Sequence, residues 1–199
     1  MKVIWVVLAV AAVALLVVVG AYNRLIRARN QMREGWSGME VQLKRRHDLV
    51  PALVECVQGY QAHERALLEA VTRERGEARA ACERGASEAG RAERALGRDL
   101  REMVALAERY PDLKADGSFR QLMGELVEIE DQIQYARRYY NGSVRDLNNA
   151  VESFPGNLLA GAFRFQKGDF FEVEAASERL PPALARTLES EGGLTGEKE

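Results

Sequence analysis

Histidine and cysteine are almost missing from this chain: its 199 residues include two of each. The cysteines, Cys56 and Cys82, stand apart with no Cys-x-x-Cys pair. Neither a disulfide framework nor a thiolate metal or redox site is expected, and both read as small residues within helices. The histidines are His47 and His63. The run His63-Glu64-Arg65-Ala66-Leu67 begins as a zinc-protease helix does, but Leu67 stands where the second imidazole must be. One ligand per face does not hold a catalytic zinc. The phosphate-cradling loops Gly-x-x-x-x-Gly-Lys and Gly-x-Gly-x-x-Gly are also lacking. Gly35-Trp36-Ser37-Gly38-Met39 matches a hydrolase elbow only in part, and no strand precedes it. Asn141-Gly142-Ser143 has the letters of a glycosylation acceptor but falls within a helical run. A charge excess is missing too. The 28 basic and 30 acidic residues leave a formal net charge of −2, and no long basic stripe is present. Nucleic acid is therefore not an expected partner. No enzyme, metal or cofactor reading follows from these residues.

What the chain has in plenty is uninterrupted apolar sequence at its start. Val3 to Ala21 contains no charged residue, and at about 1.5 Å per residue it reaches close to 30 Å, the thickness of a bilayer core. A cleaved signal peptide is the competing reading, with Val19 and Ala21 as the small residues before a cleavage site. Its apolar region would ordinarily be only about 7–15 residues long. Residues 1–22 are therefore expected to be a transmembrane anchor in contact with lipid through residues 3–21. Lys2 and the α-amine precede this span, whereas Arg24, Arg27, Arg29 and Arg33 follow it before the first acid, Glu34. The positive-inside rule then puts the N-terminus outside and the rest in the cytoplasm. Isolated thiols suit that reducing compartment.

Behind the anchor, apolar residues recur in alternating steps of three and four. Trp36, Met39, Leu43, Val50, Leu53, Val57 and Tyr60 share one helix face, and Arg46 occupies a position of that series where an apolar residue is due. Pro51 cannot donate to the carbonyl of His47, so a kink or a restart at Asp48 is expected. The pattern continues through Leu67 and Val71, compatible with one long bent helix or with two joined near Gly59. Gly76 to Gly90 is poor in large apolar residues and is expected to be a frayed helix end and connection. Leu96, Leu100, Met103, Ala107 and Tyr110 predict a further helix that Pro111 stops, followed by a loop from Pro111 to Gly117.

Ser118 and Gln121 have capping-box spacing. The seam from Phe119 through Leu122, Leu126, Ile129, Ile133, Ala136, Tyr140 and Leu147 to Phe154 then covers about five heptads before Pro155 and Gly156. Stripes of this kind are stable only when they face one another. The expected fold is all-α, a transmembrane helix followed by a long antiparallel helical bundle over residues 23–172, with a coiled-coil dimer as the structural alternative. Residues 157–171, with Leu158, Leu159, Phe163, Phe165, Phe170 and Phe171, could cap the bundle or touch the membrane surface. Residues 173–199 are expected to be a largely disordered acidic tail.

One polar constellation interrupts the seams. Arg45-Arg46-His47-Asp48 lies in the first helix and Arg137-Arg138-Tyr139-Tyr140-Asn141 in the last, with Glu128, Glu130 and Asp131 about two turns before the latter. Arg46, Asp48, Arg137, Arg138 and Tyr140 are the candidate inter-helix cluster. An ion-pair layer that sets helix register is the favoured reading; a pocket for a ligand or partner is the alternative.

Several of these blocks resemble the LemA family of bacterial membrane-anchored helical proteins. The resemblance starts at Tyr22-Asn23 and is densest at Leu43-Lys44-Arg45-Arg46-His47-Asp48-Leu49-Val50-Pro51. It returns at Ala107-Glu108-Arg109-Tyr110-Pro111-Asp112-Leu113-Lys114-Ala115 and at Ala136-Arg137-Arg138-Tyr139-Tyr140-Asn141, with Asn148 beyond. Ser153-Phe154-Pro155-Gly156-Asn157-Leu158 and Phe163, Phe165 and Phe171 are similar to the family's closing segment. The resemblance implies a cytoplasmic helical bundle on an anchor whose N-terminus faces outward. It implies no established enzymatic activity or cofactor, and roles in organising the envelope or membranes, with one branch in magnetosome formation. It carries over no functional residues. The Gly76–Gly90 stretch departs from the pattern. The expectation is a non-catalytic scaffold or adaptor acting through protein contacts, with self-association a further mode. A ligand-sensing or enzyme-accessory membrane protein is the alternative.

Overall fold

The apolar run and the seam behind it form one continuous helix, α1 (Lys2–Tyr60), in the computed structural model, which describes residues 1–60, 65–107 and 109–171. No part of its apolar window is buried within the protein, and it is long and apolar enough to cross a membrane. Burial begins at Leu25 and continues through Ala28, Met39, Leu43, Val50, Leu53 and Val57. With Met32, Gly35 and Arg46 filling the longer gaps, these are steps of three and four, which keep one face toward the other helices.

α2 (Arg65–Cys82) and α3 (Ala86–Ala107) follow, so the open alternative beyond Gly59 resolves into two helices. His63 and the 173–199 tail lie outside the described residues. Pro51 sits inside α1 without a restart at Asp48. The carbonyl of His47, which Pro51 leaves without its helical donor, accepts instead from Arg75 Nε at 2.5 Å. α2 thus satisfies the backbone group that would otherwise loosen α1 there.

The Gly76–Gly90 stretch is not a frayed connection. It continues α2 to Cys82 and begins α3 at Ala86, leaving three residues between them. Ala78, Ala81, Ala86 and Ala89 are all buried. Small side chains bury little area each but let two backbones approach closely, so a lack of large apolar residues here marks tight packing. Gly85 makes the turn at φ 107°, a conformation that costs L-residues energy.

The expected 111–117 loop contains a one-turn helix, α4 (Pro111–Ala115). Proline at the first helical position forfeits an N–H that has no helical acceptor anyway, and Leu113 is fully buried. α5 (Gly117–Glu152) is capped by Asp116, whose carboxylate accepts from Phe119 N at 2.8 Å; Ser118 lies inside the helix and is not the cap. Replacing Asp116 by Ala should destabilise the protein by about 1 kcal/mol in chemical denaturation, with Asp116→Asn losing less. α5 ends at Glu152, so Phe154 leaves the expected seam and is exposed.

α5 packs antiparallel along α1. Gly35 meets Tyr140, and Arg46, eleven residues on, meets Glu130, ten residues back. A Cβ at Gly35 would stand 3.2 Å from the Tyr140 Cα and 3.2 Å from a Tyr139 ring carbon. Gly35→Ala should be close to neutral, since its helix-propensity gain of about 1 kcal/mol offsets the crowding. Gly35→Leu should cost about 1–3 kcal/mol by overpacking, read by thermal denaturation in detergent.

α6 (Gly156–Phe163) closes the bundle at the end next to the apolar run of α1, and Arg164, at φ 55°, terminates it. The chain then returns along α5. Asn148 exchanges two hydrogen bonds with the backbone of Gly168, and Asn141 does the same with Phe171. Seven helical residues rise about 10.5 Å and three extended ones span about 10 Å, so the two amides match the two backbone sites. All described regular structure is helical: a transmembrane-length helix runs into an antiparallel bundle.

Candidate functional site

Arg46 and His47 are buried in the middle of the bundle, although neighbouring residues of α1 face solvent. Arg46 reaches two helices. One guanidinium nitrogen donates to Glu93 of α3, and the other to Glu130 of α5 at 2.6 Å. His47 Nε2 lies 2.6 Å from the second Glu93 oxygen, and the ring N–H donates to that carboxylate. Glu93 is 2 % exposed and both its oxygens are engaged. This one carboxylate therefore ties α3 to α1, while Arg46 ties both to α5.

Burial works against the charge on Arg46, but the carboxylates of Glu93 and Glu130 more than offset it and hold its pKa above the ordinary value. Burial likewise opposes the Glu93 charge. The His47 hydrogen bond and the Arg46 charge outweigh it, so the carboxyl is held below its usual range. The arrangement is that of a buried ion-pair layer joining α1, α3 and α5.

Glu93 was not a candidate from sequence, yet the signal was there. Ala86, Ala89, Glu93, Leu96, Leu100 and Met103 are spaced by threes and fours, and all are buried. Glu93 interrupts the α3 seam as Arg46 interrupts that of α1.

Of the five candidates from sequence, the fold brings Arg46 and Arg137 to one cleft and places the other three elsewhere. Arg46 lies in the network. Asp48 is exposed on α1, and Arg138 is exposed with its guanidinium 4.6 Å over the Tyr135 ring. Tyr140 is buried one layer closer to the apolar run of α1, where its hydroxyl donates to the Asp169 carbonyl at 2.8 Å and its ring meets Trp36 at 5.4 Å. Burial and the nearby Asp169 charge push its pKa up to about 12. Arg137 is half-buried and lines a cleft between α3 and α5.

That cleft has a volume of about 560 Å³, with Arg46, Glu93 and Glu130 reaching into it from the network. One end is apolar, formed by Leu100, Val104, Met123, Leu126 and the exposed Val127; Arg94, Arg101 and Arg137 also line it. Among the described residues, no group of three His, Cys, Asp or Glu side chains is placed to hold a metal ion.

Residues 35–185 match the profile of the LemA family. Magnetosome proteins MamQ 1 and MamQ 2 of Paramagnetospirillum magneticum are each 28 % identical over 95 residues, covering 47 % of this chain and 35 % of theirs. MamQ of Magnetospirillum gryphiswaldense is 28 % identical over 83 residues, 42 % of this chain and 30 % of its own. The match thus spans about a third of the length of these curated relatives. The chain is a membrane-associated helical protein and belongs to the LemA family.

Proposed function

We propose that the protein is a single-pass scaffold of the bacterial inner membrane, with its N-terminus outside. Its cytoplasmic bundle holds another protein in the cleft between α3 and α5. The observation that carries this reading is the cleft itself, apolar at one end and lined by charges of both signs, with Asp131 beside Arg94, Arg101 and Arg137, on a frame pinned by the Arg46–Glu93–Glu130 network. A cleft with an apolar end and a charged lining suits a segment of another protein. Magnetosome assembly is not carried over, because the match covers only about a third of the MamQ chains.

A photo-crosslinking residue at Val127, which is 59 % exposed on the cleft, tests this in intact membranes. A discrete adduct is expected there and not from the same group at Arg65, exposed on α2. Absence of an adduct at Val127, together with saturable thermal stabilisation by a small anion that Arg101→Ala abolishes, would replace the scaffold by a ligand sensor.

Topology needs an added thiol. Burial and the charges of Glu93 and Glu40 push Cys82 up to about 11, against an ordinary value near 9. Its thiolate fraction at neutral pH falls roughly 100-fold. Cys82 should therefore label slowly with maleimide even after permeabilisation, and fast only once denatured. Glu128→Cys, at an exposed site on α5, should label only in permeabilised cells if the bundle is cytoplasmic. Rapid labelling in intact cells would reverse the orientation.

A further inference from the structure

Gly156 and Ala160, one turn apart on α6, are buried against the bundle. Leu158, on the opposite side of α6, and Phe154, just before the helix, are 65 % and 78 % exposed, and Phe163, one heptad beyond Gly156 at the end of the helix, stays 58 % exposed. No charged residue occurs from Phe154 to Phe163. A helix on the surface of a water-soluble protein turns its polar side outward, whereas here the outward side is apolar.

The position of this face names what covers it. Phe154, Pro155 and Gly156 share a recess with Val17, Gly20, Ala21 and Arg24 of α1. The Phe163 ring lies 5.0 Å from that of Tyr22. α6 thus stands beside the last turn of the candidate span. If the span ends at Ala21, Val17 lies about 6 Å inside the hydrocarbon boundary and Arg24 about 4–5 Å outside it. Helices lying in an interface bury their apolar side by a similar depth, about 5–10 Å. Tyr22 falls at the level where tyrosines collect, and the exposed Arg24, Arg27 and Arg164 are suited to headgroup phosphates.

We infer that α6 is a second membrane contact, lying in the boundary between headgroups and acyl chains through Phe154 and Leu158, with Phe163 at its rim beside Tyr22. The inference rests on the anchor reading of residues 3–21. A single spanning helix leaves the rotation and tilt of its soluble part to be set by other contacts. With α6 on the surface, the bundle is fixed in both. The Arg46 layer then stands roughly 37 Å along α1 from the end of the span, a set distance at which the cleft is presented.

The test uses the full chain with Cys56→Ser and Cys82→Ser, in nanodiscs of phosphatidylcholine and phosphatidylglycerol. Nitroxide labels are placed one at a time at Leu8→Cys, Leu158→Cys and Tyr135→Cys, each at a side chain that is more than half exposed. The ratio of collisions with oxygen to collisions with a soluble nickel chelate reports immersion. The expected result is a ratio at 158 several-fold above that at 135, approaching that at 8. An aqueous 158 with an immersed 8 overturns the surface helix and leaves the anchor standing. An aqueous 8 overturns both. Low accessibility of 158 to both reagents, with dipolar coupling between labels, would show that a second copy covers the face and would also overturn the inference.

Discussion

Replacing Glu93 by alanine should destabilise the bundle by about 3–5 kcal/mol, because it strands a buried arginine rather than merely removing a contact. Arg46 would keep its charge in a site where Glu130 alone, itself partly exposed, faces it. For a domain of this size the loss corresponds to a fall of roughly 10 °C in Tm, measurable by circular dichroism in detergent. The double replacement Arg46→Met with Glu93→Leu removes both charges and leaves apolar groups of similar volume. It should recover most of the loss, since burying a pair costs about as much solvation energy as the pair returns. If the double variant were as unstable as Glu93→Ala, the layer would be stabilising by more than mutual neutralisation. The network also predicts acid sensitivity. The folded pKa of Glu93 lies below its unfolded value, so its contribution is present above the unfolded pKa and is lost as pH falls through the folded one. Denaturant midpoints should drop on acidification in the wild type and drop less in the double variant.

Phe171→Ala should cost about 3–5 kcal/mol, the range for truncating a large, fully buried aromatic side chain. Phe171 fills the space between Met39, Leu43 and Tyr140, and its ring lies 6.3 Å from that of Trp36. The loss should fall first on the returning segment, so amide exchange at Gly168 and Phe171 should accelerate before that of α5. Asn141→Asp separates the packing from the hydrogen bonds. The carboxylate can still accept from Phe171 N but opposes the Phe171 carbonyl, to which Asn141 Nδ2 now donates at 3.1 Å. A loss of about 1–3 kcal/mol is expected at neutral pH. Part of it should return in acid, where the protonated aspartate regains a donor. Unchanged exchange at both amides in Asn141→Asp would show that Phe171 packing alone holds the segment.

The candidate site was legible only by halves. Arg46 stood out because it broke a run of large apolar residues. Glu93 broke an equally regular seam made partly of alanines, in a stretch where glutamate, arginine and alanine are common, and was lost in that background. Asp48 and Arg138 neighbour the same motifs in sequence, but a helix turns about 100° per residue and sends them to solvent. The Ser118 capping box failed for a related reason. Asp116 and Ser118 are both eligible cap residues, and which of them caps depends on where α4 stops.

Sequence by itself determined the apolar helix of membrane-crossing length, the helical class and the antiparallel character of the bundle. These follow from length, hydropathy and a repeat of three and four, which are properties of single segments and their solvent. Only the tertiary structure decided that Arg75 takes the carbonyl freed by Pro51, that Glu93 completes the Arg46 layer, and that Asn141 and Asn148 hold the returning chain. Each of these joins groups 20 or more residues apart. Their meeting depends on the rotation and axial offset of whole helices, which the hydrophobic pattern of a single helix does not set.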